Sequence, residues 1–124
     1  MQLFFDSIPS ALPHVQTGRI RALGVASTKR SPAMPDVPAI NESLKGFEAD
    51  SWFGLMVPTA TPREIIAKMN ADTTKILATQ EVKERILSQG GVAVGSTPEQ
   101  LAERIKADLA KWGKVARTAG VKIE

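Results

Sequence analysis

The sequence predicts an α/β fold in which a mainly parallel sheet is flanked by helices. Its 124 residues, 43% of them hydrophobic and 23% charged, have the length and composition of one globular domain. Residues 20–26 form a nearly continuous apolar run, which is typical of a strand covered on both faces. Two Thr-Pro helix starts, at Thr61 and Thr97, are each followed by apolar residues at helical spacing.

The beginning of the chain predicts a strand, a helix and a second strand. Residues 2–5 are a short apolar run with two phenylalanines, which predicts a buried strand. Residues 10–16 predict a short helix that Gly18 ends, and residues 20–26 predict the second strand. Elements in this order and at this spacing form a βαβ unit with a right-handed crossover.

Polar residues at the first strand–helix junction are of the types that cap helices. The side-chain oxygens of Asp6 and Ser7 can accept hydrogen bonds from the free amides of a first helical turn. Pro13 fits a helix only in the first turn, because proline has no amide hydrogen to donate. We therefore expect a cap at Ser7 or Ser10 that places Pro13 in that turn.

The middle of the chain predicts irregular and extended structure. Prolines at positions 32, 35 and 38 indicate an ordered loop or an extended connection over residues 31–38. Residues 47–57 are apolar but long for a strand, and Gly54 indicates a bend or a close backbone approach there.

The second half predicts three helices. Two segments have the capping-box pattern of an N-cap threonine, a proline at the first helical position and a Glu or Gln at the third: Thr61-Pro62-Arg63-Glu64 and Thr97-Pro98-Glu99-Gln100. Each threonine should therefore cap an amide of its helix. Residues 81–89 predict a helix between them, ended by Gly90 and Gly91, and residues 91–95 predict a brief strand. Gly120 should end the last helix. The expected inward faces of the first and last helices are Ile65, Ile66, Met69, Thr73, Ile76 and Leu77, and Leu101, Ile105, Leu109, Trp112 and Val115.

Composition excludes several classes of site. Without cysteine the chain has no disulfide, thiolate zinc site or cysteine nucleophile, and a single histidine, His14, excludes a multi-histidine metal site within one chain. We expect no metal and no cofactor. No apolar run reaches the roughly 18 residues of a membrane span. The first residues have neither the basic region nor the cleavage site of a signal peptide.

The net charge of +3 lies in the second half of the chain and indicates a solvated basic face. Acidic residues alternate with the cations near the carboxyl terminus, and the one aromatic residue there, Trp112, belongs to the apolar stripe. We therefore expect no nucleic-acid partner. The cations in question are Lys106, Lys111, Lys114, Arg117 and Lys122.

Two chemical alternatives rest on few residues. Ser10 and His14, four residues apart on one helix face, allow a small hydrolase, but no Gly-x-Ser-x-Gly motif surrounds the serine. The glycine-rich residues 90–95 follow a helix and lack the Lys-Ser/Thr ending of a phosphate loop, so they indicate a helix stop and a turn.

The junction at Asp6, Ser7 and Ser10 is the remaining candidate site. Ligands of α/β sheets lie beyond the carboxyl ends of the strands, where helix amides face anions. These residues occupy that position, which is compatible with a small anionic or zwitterionic ligand. The alternative is that Asp6 and Ser7 serve only as helix caps.

Several ordered strings resemble the Bordetella uptake gene (Bug) family, the receptor family of tripartite tricarboxylate transporters. They are QLFFDSIPSALPHV (2–15), GRIRALGV (18–25), KRSPAMPDVP (29–38), SWFGLMVP (51–58) and GSTPE (95–99). The similarity extends over nearly the whole chain. It implies a periplasmic solute-binding protein of the two-lobe, Venus-flytrap type, without enzymatic activity, that serves a membrane transporter and binds small carboxylates or amino acids.

The resemblance also implies how the chain relates to longer family members. It looks like their C-terminal portion: residues 1–58 would be the end of the second lobe with the return strand near the hinge, and residues 59–124 the helical segment that packs on the first lobe. The family's cleft-lining loop corresponds to Asp6, Ser7 and Ser10, which we expect to contact the ligand. Trp52 and Phe53 match a family string near the hinge, where we interpret them as core aromatics, with contact to the ligand as the alternative.

A chain with one lobe mostly lacking should expose apolar surface. The expected surface consists of a sheet edge beside residues 3–5 and of helix faces that carry Ile65, Met69, Leu109 and Trp112. Exposed patches and open strand edges favour pairing with a second copy, so we expect a homo-oligomer, most simply a two-fold dimer. An interaction module of the same fold without ligand binding is the alternative.

Overall fold

The computed structural model describes residues 3–121. Helices are the regular elements of that range, and they account for the predicted helical segments with small shifts in their bounds. They are α1 (Ile8–Gln16), α2 (Ile40–Ser43), α3 (Arg63–Leu77), α4 (Gln80–Ser88) and α5 (Pro98–Thr118).

Helix α1 begins two residues earlier than the sequence predicts. Ser7 is its N-cap residue, with the extended φ of −71° and ψ of 146° that such a position requires. Pro13 therefore lies in the middle of the helix and not in the first turn, so that part of the prediction was wrong. Both Pro13 and Pro9 are exposed, so water can reach the Pro9 carbonyl that Pro13 cannot satisfy. The predicted end is confirmed, because Gly18 follows the helix with a φ of 71°.

The parallel sheet is not confirmed within residues 3–121. Its trace is one isolated parallel bridge, Val25 to Ala39, in which the Val25 amide donates to the Pro38 carbonyl and the Val25 carbonyl accepts from the Ile40 amide, both at 2.9 Å. The segments predicted as strands at 3–5, 47–57 and 91–95 carry no strand in the described range. The strand predicted at 20–26 is reduced to the bridge at Val25, so the βαβ unit is not formed there. Gln2, the first residue of the predicted first strand, lies outside that range.

The proline-rich loop predicted at residues 31–38 is confirmed and is closed by an ion pair. Arg30 donates from Nε to Glu42 Oε1 at 2.7 Å and from a terminal nitrogen to Glu42 Oε2 at 2.9 Å. Arg30 also donates to the Pro35 carbonyl inside the loop at 3.2 Å. Glu42 Oε1 accepts from the Ala39 amide at 3.0 Å, so one carboxylate joins the loop ends and caps α2.

The two Thr-Pro motifs behave differently. Thr97 caps α5: its Oγ1 accepts from the Gln100 amide at 3.2 Å, and the Gln100 side chain accepts from the Thr97 amide at 2.9 Å. The prediction for Thr61 was wrong. The Pro62 carbonyl accepts the first bonds of α3, from the amides of Ile65 and Ile66, and the described structure has no cap bond from the Thr61 side chain.

Contacts divide the chain into two units. Unit 1 comprises Met1–Leu55 and Lys75–Val94, and unit 2 comprises Met56–Thr74 and Gly95–Glu124. Within the described residues, the buried apolar side chains of Leu12, Val25 and Ala39 all belong to unit 1. Unit 2 buries none of its described residues; a hydrogen bond from the Asn70 side chain to the Ser96 carbonyl, at 2.7 Å, joins its two segments.

The apolar faces predicted for the helices are only partly covered. Ile66 and Leu77 of α3 are half-buried, but Ile65, Met69 and Ile76 are exposed. On α5, Leu101 and Ile105 are half-buried, whereas Leu109, Trp112 and Val115 are exposed. Phe53 is 85% exposed, so its interpretation as a core aromatic was wrong for this structure, and Trp52 is half-buried.

Candidate functional site

The three residues selected from the sequence surround the amino end of α1. Ser7 is the N-cap residue and Ser10 is the third residue of the helix. Asp6 precedes them, and its Oδ1 accepts a hydrogen bond from the Ser7 amide at 2.7 Å. Asp6 and Ser10 are exposed and Ser7 is half-buried, so all three have polar atoms within reach of a solute.

The serine hydroxyls are not used as helix caps. The Ser7 side chain makes no capping bond; its carbonyl instead accepts the amides of Ser10 and Ala11 at 3.1 and 3.0 Å. Within residues 3–121 the hydroxyl of Ser10 and the amide of Ile8 also lack hydrogen-bond partners. The helix start therefore offers two hydroxyls and one amide. The expectation that side chains of Asp6 and Ser7 cap the first turn was wrong.

Electrostatics at this position distinguish between ligand groups. The amino end of a helix carries about half a positive charge, which favours a carboxylate beside the free amide and hydroxyls. The Asp6 carboxylate carries a full negative charge next to it and is exposed to water. Because the helix end attracts an anion and Asp6 repels it, the net attraction for a simple anion is weak. A ligand that also carries a cationic group is bound better, since that group can lie beside Asp6.

Helix α1 is held in place by its contact with the turn after α4. Leu12 is 5% exposed, and it lies against Gly90, which has a φ of 86° and is itself buried. A Cβ atom built on Gly90 would lie 2.7 Å from Cγ2 of Ile8 and 3.3 Å from Cδ2 of Leu12. Because Gly90 has no side chain, Ile8 at the start of α1 can pack against this turn. This confirms the helix stop predicted at Gly90 and gives it a second role that the sequence did not indicate.

A hydrolytic site at Ser10 and His14 is not supported. Both side chains are exposed on α1, and the described structure contains no hydrogen bond between them. The carbonyl of His14 accepts from the amide of Arg19 at 2.9 Å, so the residue takes part in ending the helix. Among residues 3–121 there is also no cluster of acidic or histidine side chains that could hold a metal ion.

The basic residues near the carboxyl terminus are partly paired within α5. Arg104 donates from Nε to Asp108 at 3.2 Å, and Lys111 lies 5.4 Å from the Trp112 ring centre, over its face. Lys122, the last of the cations named from the sequence, is outside the described residues. In the part of the chain that the structure describes, no helix has the length and apolarity needed to cross a membrane.

The strongest electrostatic feature that sequence reasoning missed lies outside the site, in the Arg30–Glu42 pair. The hydrogen bonds from Arg30, followed by the one from the Ala39 amide, lower the pKa of Glu42 to about 2. The two partners are twelve positions apart and lie on either side of a proline-rich loop, so they do not share a face of one helix or strand. Sequence pattern alone could therefore not indicate it.

Comparisons with known proteins give one consistent family. A family model described as the tripartite tricarboxylate transporter family receptor matches residues 2–121. Among curated proteins, the UPF0065 protein in the tcbD–tcbE intergenic region of Pseudomonas sp. strain P51 is 36% identical over 117 residues, which is 93% of this chain and 35% of that protein. Protein BugT of Bordetella pertussis is 32% identical over 120 residues, 96% of this chain and 37% of that protein.

Solved structures give the same result. The chain superposes on Rpa4515 of R. palustris with adipate (TM-score 0.83, 32% identity, 91% of this chain and 38% of that one). It also superposes on the periplasmic binding protein BugD, with a TM-score of 0.80 and 30% identity, over 92% of this chain and 39% of BugD. A third neighbour is MatC of Rhodopseudomonas palustris with bound malate, with a TM-score of 0.71 and 34% identity, over 87% of this chain and 38% of MatC. The chain therefore spans less than two-fifths of the length of each of these relatives and neighbours.

Proposed function

Because the chain belongs to the tripartite tricarboxylate transporter receptor family, whose members are solute-binding receptors and not enzymes, we propose that it is part of a periplasmic receptor for small carboxylates or amino acids. The family match over residues 2–121 carries this proposal. The adipate and malate bound by two structural neighbours support the choice of carboxylates. Membrane subunits of a tripartite transporter would be the receptor's partners.

The proposed contacts are those of the α1 start. The hydroxyls of Ser7 and Ser10 and the amide of Ile8 donate to a ligand carboxylate, which the positive end of the helix also favours. Asp6 accepts from the ammonium group when the ligand is an amino acid. Within the described residues neither hydroxyl has a hydrogen-bond partner, which leaves each O–H able to donate to a ligand oxygen.

Binding by this chain in isolation should be weak. We propose that it corresponds to the C-terminal portion of the receptor, with residues 1–58 from the second lobe and residues 59–124 packing on the first. A Venus-flytrap receptor surrounds its ligand with both lobes, so these contacts are only a share of the total. A few exposed hydrogen bonds place the dissociation constant in the millimolar range, that is about −4 kcal/mol.

The test is an NMR titration of the ¹⁵N-labelled chain with malate and with aspartate, which share a carbon skeleton. We expect both to shift the amides of residues 7–11, and the Ser7→Ala/Ser10→Ala double variant to weaken both by roughly tenfold. Ser43→Ala, at an exposed serine of α2, is the control and should bind as the unmodified chain does. Asp6→Asn should weaken aspartate alone. Equal titration of the double variant and the control would overturn the proposed site.

A second proposal concerns assembly: we infer that the chain alone is a homo-oligomer. A stable dimer covers about 800 Å² on each partner, and it forms where large apolar side chains are exposed. The large apolar side chains available for it include Leu3, Phe5, Phe53, Leu55, Met56 and Leu109.

Light scattering on the purified chain tests the assembly. A mass of twice 13.3 kDa or more is expected, and Leu109→Glu on α5 should lower it by placing a charge on the apolar face. A monodisperse monomer would refute the oligomer. If the chain assembles but neither malate nor aspartate shifts the α1 amides, the result favours the alternative, an interaction module of the same fold that binds no ligand.

A further inference from the structure

A cavity of about 500 Å³ opens at the other end of α1, away from Asp6, Ser7 and Ser10. Its wall includes the last turn of the helix, at Val15, and Val37 from the proline-rich loop. The segment that follows the helix completes this open cavity, and Arg19 and Arg21 are among its lining residues. Since α1 has nine residues, the two ends are separated by about 13 Å.

The chain turns sharply after α1, and both arginines follow this turn at the cavity. Gly18 has a φ of 71°, and the amides of Arg19 and Ile20 then donate to the His14 carbonyl at 2.9 and 3.4 Å. Arg19 and Arg21 are exposed and both line the cavity, whereas Ile20 and Ala22 are half-buried and line it with apolar surface.

The charge of these two groups is not balanced by a nearby residue. Within residues 3–121 neither Arg19 nor Arg21 forms an ion pair or a side-chain hydrogen bond. Only Ile20 separates them in the chain, so the two positive charges repel each other. The carboxyl end of α1 adds only about half a negative charge, and the turn amides already occupy the His14 carbonyl.

We propose that this cavity is a second anion site, which binds a short aliphatic dicarboxylate between Arg19 and Arg21. Each guanidinium presents a planar pair of donors that matches one carboxylate. The methylene carbons of the ligand lie against the apolar wall formed by Val15, Ile20 and Val37. The proposal does not depend on the site at the amino end of α1, because no residue is shared between them.

The experiment is an NMR titration of the ¹⁵N-labelled full chain with glutarate, with butyrate and with the uncharged glutaramide. We expect glutarate to shift the amides of residues 18–22 together with Val37, and butyrate to bind at least fivefold more weakly because it has one carboxylate. Glutaramide should have no effect. The double variant with Arg19→Gln and Arg21→Gln should bind glutarate more weakly, by about fivefold in affinity for each arginine removed, as expected for exposed ion pairs.

The matched control is Lys29→Gln, which removes one exposed positive charge of unit 1 that does not line the cavity. It should leave the glutarate shifts at residues 18–22 unchanged. Equal weakening by Lys29→Gln, equal binding of butyrate, or full binding by the arginine double variant would each refute a specific site. Shifts at residues 7–11 report the other site separately, so either site can fail without the other.

Discussion

Substitution of Gly90 by alanine tests whether the turn after α4 sets the position of the amino end of α1. Gly90 has a φ of 86°, where an alanine costs about 1–2 kcal/mol. The new Cβ would also lie 2.7 Å from Ile8 Cγ2 and 3.3 Å from the Ile8 carbonyl carbon. Forcing an extra methyl group into such a contact costs a further 1–3 kcal/mol or so. We therefore expect Gly90→Ala to lose about 2–5 kcal/mol of unfolding free energy.

Gly46 provides a control with nearly the same backbone angle. Its φ is 85°, it also lies in unit 1, and a Cβ there would meet no atom within 4 Å. Gly46→Ala should thus lose only the conformational part, about 1–2 kcal/mol. The measurement is urea unfolding followed by circular dichroism at 222 nm, with unchanged m-values for both variants. Equal midpoints for the two variants would show that the contact between Gly90 and Ile8 does not exist in solution.

Three further predictions concern the caps, the ion pair and the core. Thr97→Ala should lose about 1 kcal/mol of unfolding free energy, whereas Thr61→Ala, at a threonine without a cap bond, should change it by less than about 0.5 kcal/mol; urea midpoints decide between them. Because the pKa of Glu42 is lowered to about 2 by its bonds with Arg30, the stability it contributes is complete above pH 4.5 and is lost as the pH falls towards 2. Glu42→Gln should flatten the acid limb of a stability–pH profile in that window, and an unchanged profile would contradict the ion pair. Leu12→Ala should cost about 2–5 kcal/mol in the same unfolding assay, since Leu12 is 5% exposed.

The helices could be predicted from the sequence because their signals are local. The capping box at Thr97, the glycines at 90 and 120 and the apolar spacing of α3 and α4 all act within a few residues of chain. The error at Thr61 has the same origin: two Thr-Pro motifs look alike, but the first carbonyl used by α3 is that of Pro62. A one-residue difference in where a helix begins decides whether a threonine caps it, and sequence pattern does not resolve that.

The candidate site was predictable in position but not in detail. Polar residues of the capping type before a helical segment are enough to locate Asp6, Ser7 and Ser10 at a helix start, even though the strand predicted before them is not formed. Whether the hydroxyls cap the helix or remain free depends on the rotamers and on the backbone path through Ser7, which the sequence does not specify. The packing of Ile8 against Gly90 joins residues more than eighty positions apart, and only the folded chain brings them together.

The strands depend on neighbours in a way that helices do not. Val25 and Ala26 show this directly: Val25 pairs with the backbone of Pro38 and Ile40, and the Ala26 carbonyl accepts from the Ala49 amide at 2.9 Å. Residues 21–24, immediately before, have no regular secondary structure and no backbone hydrogen bond inside the described range, and the same holds for residues 53–57. Segment 53–57 also carries the exposed side chains of Phe53, Leu55 and Met56. Unpaired amides and uncovered apolar side chains thus occur in the same segment, so a single added layer, whether a second copy or another part of a family receptor, would satisfy both.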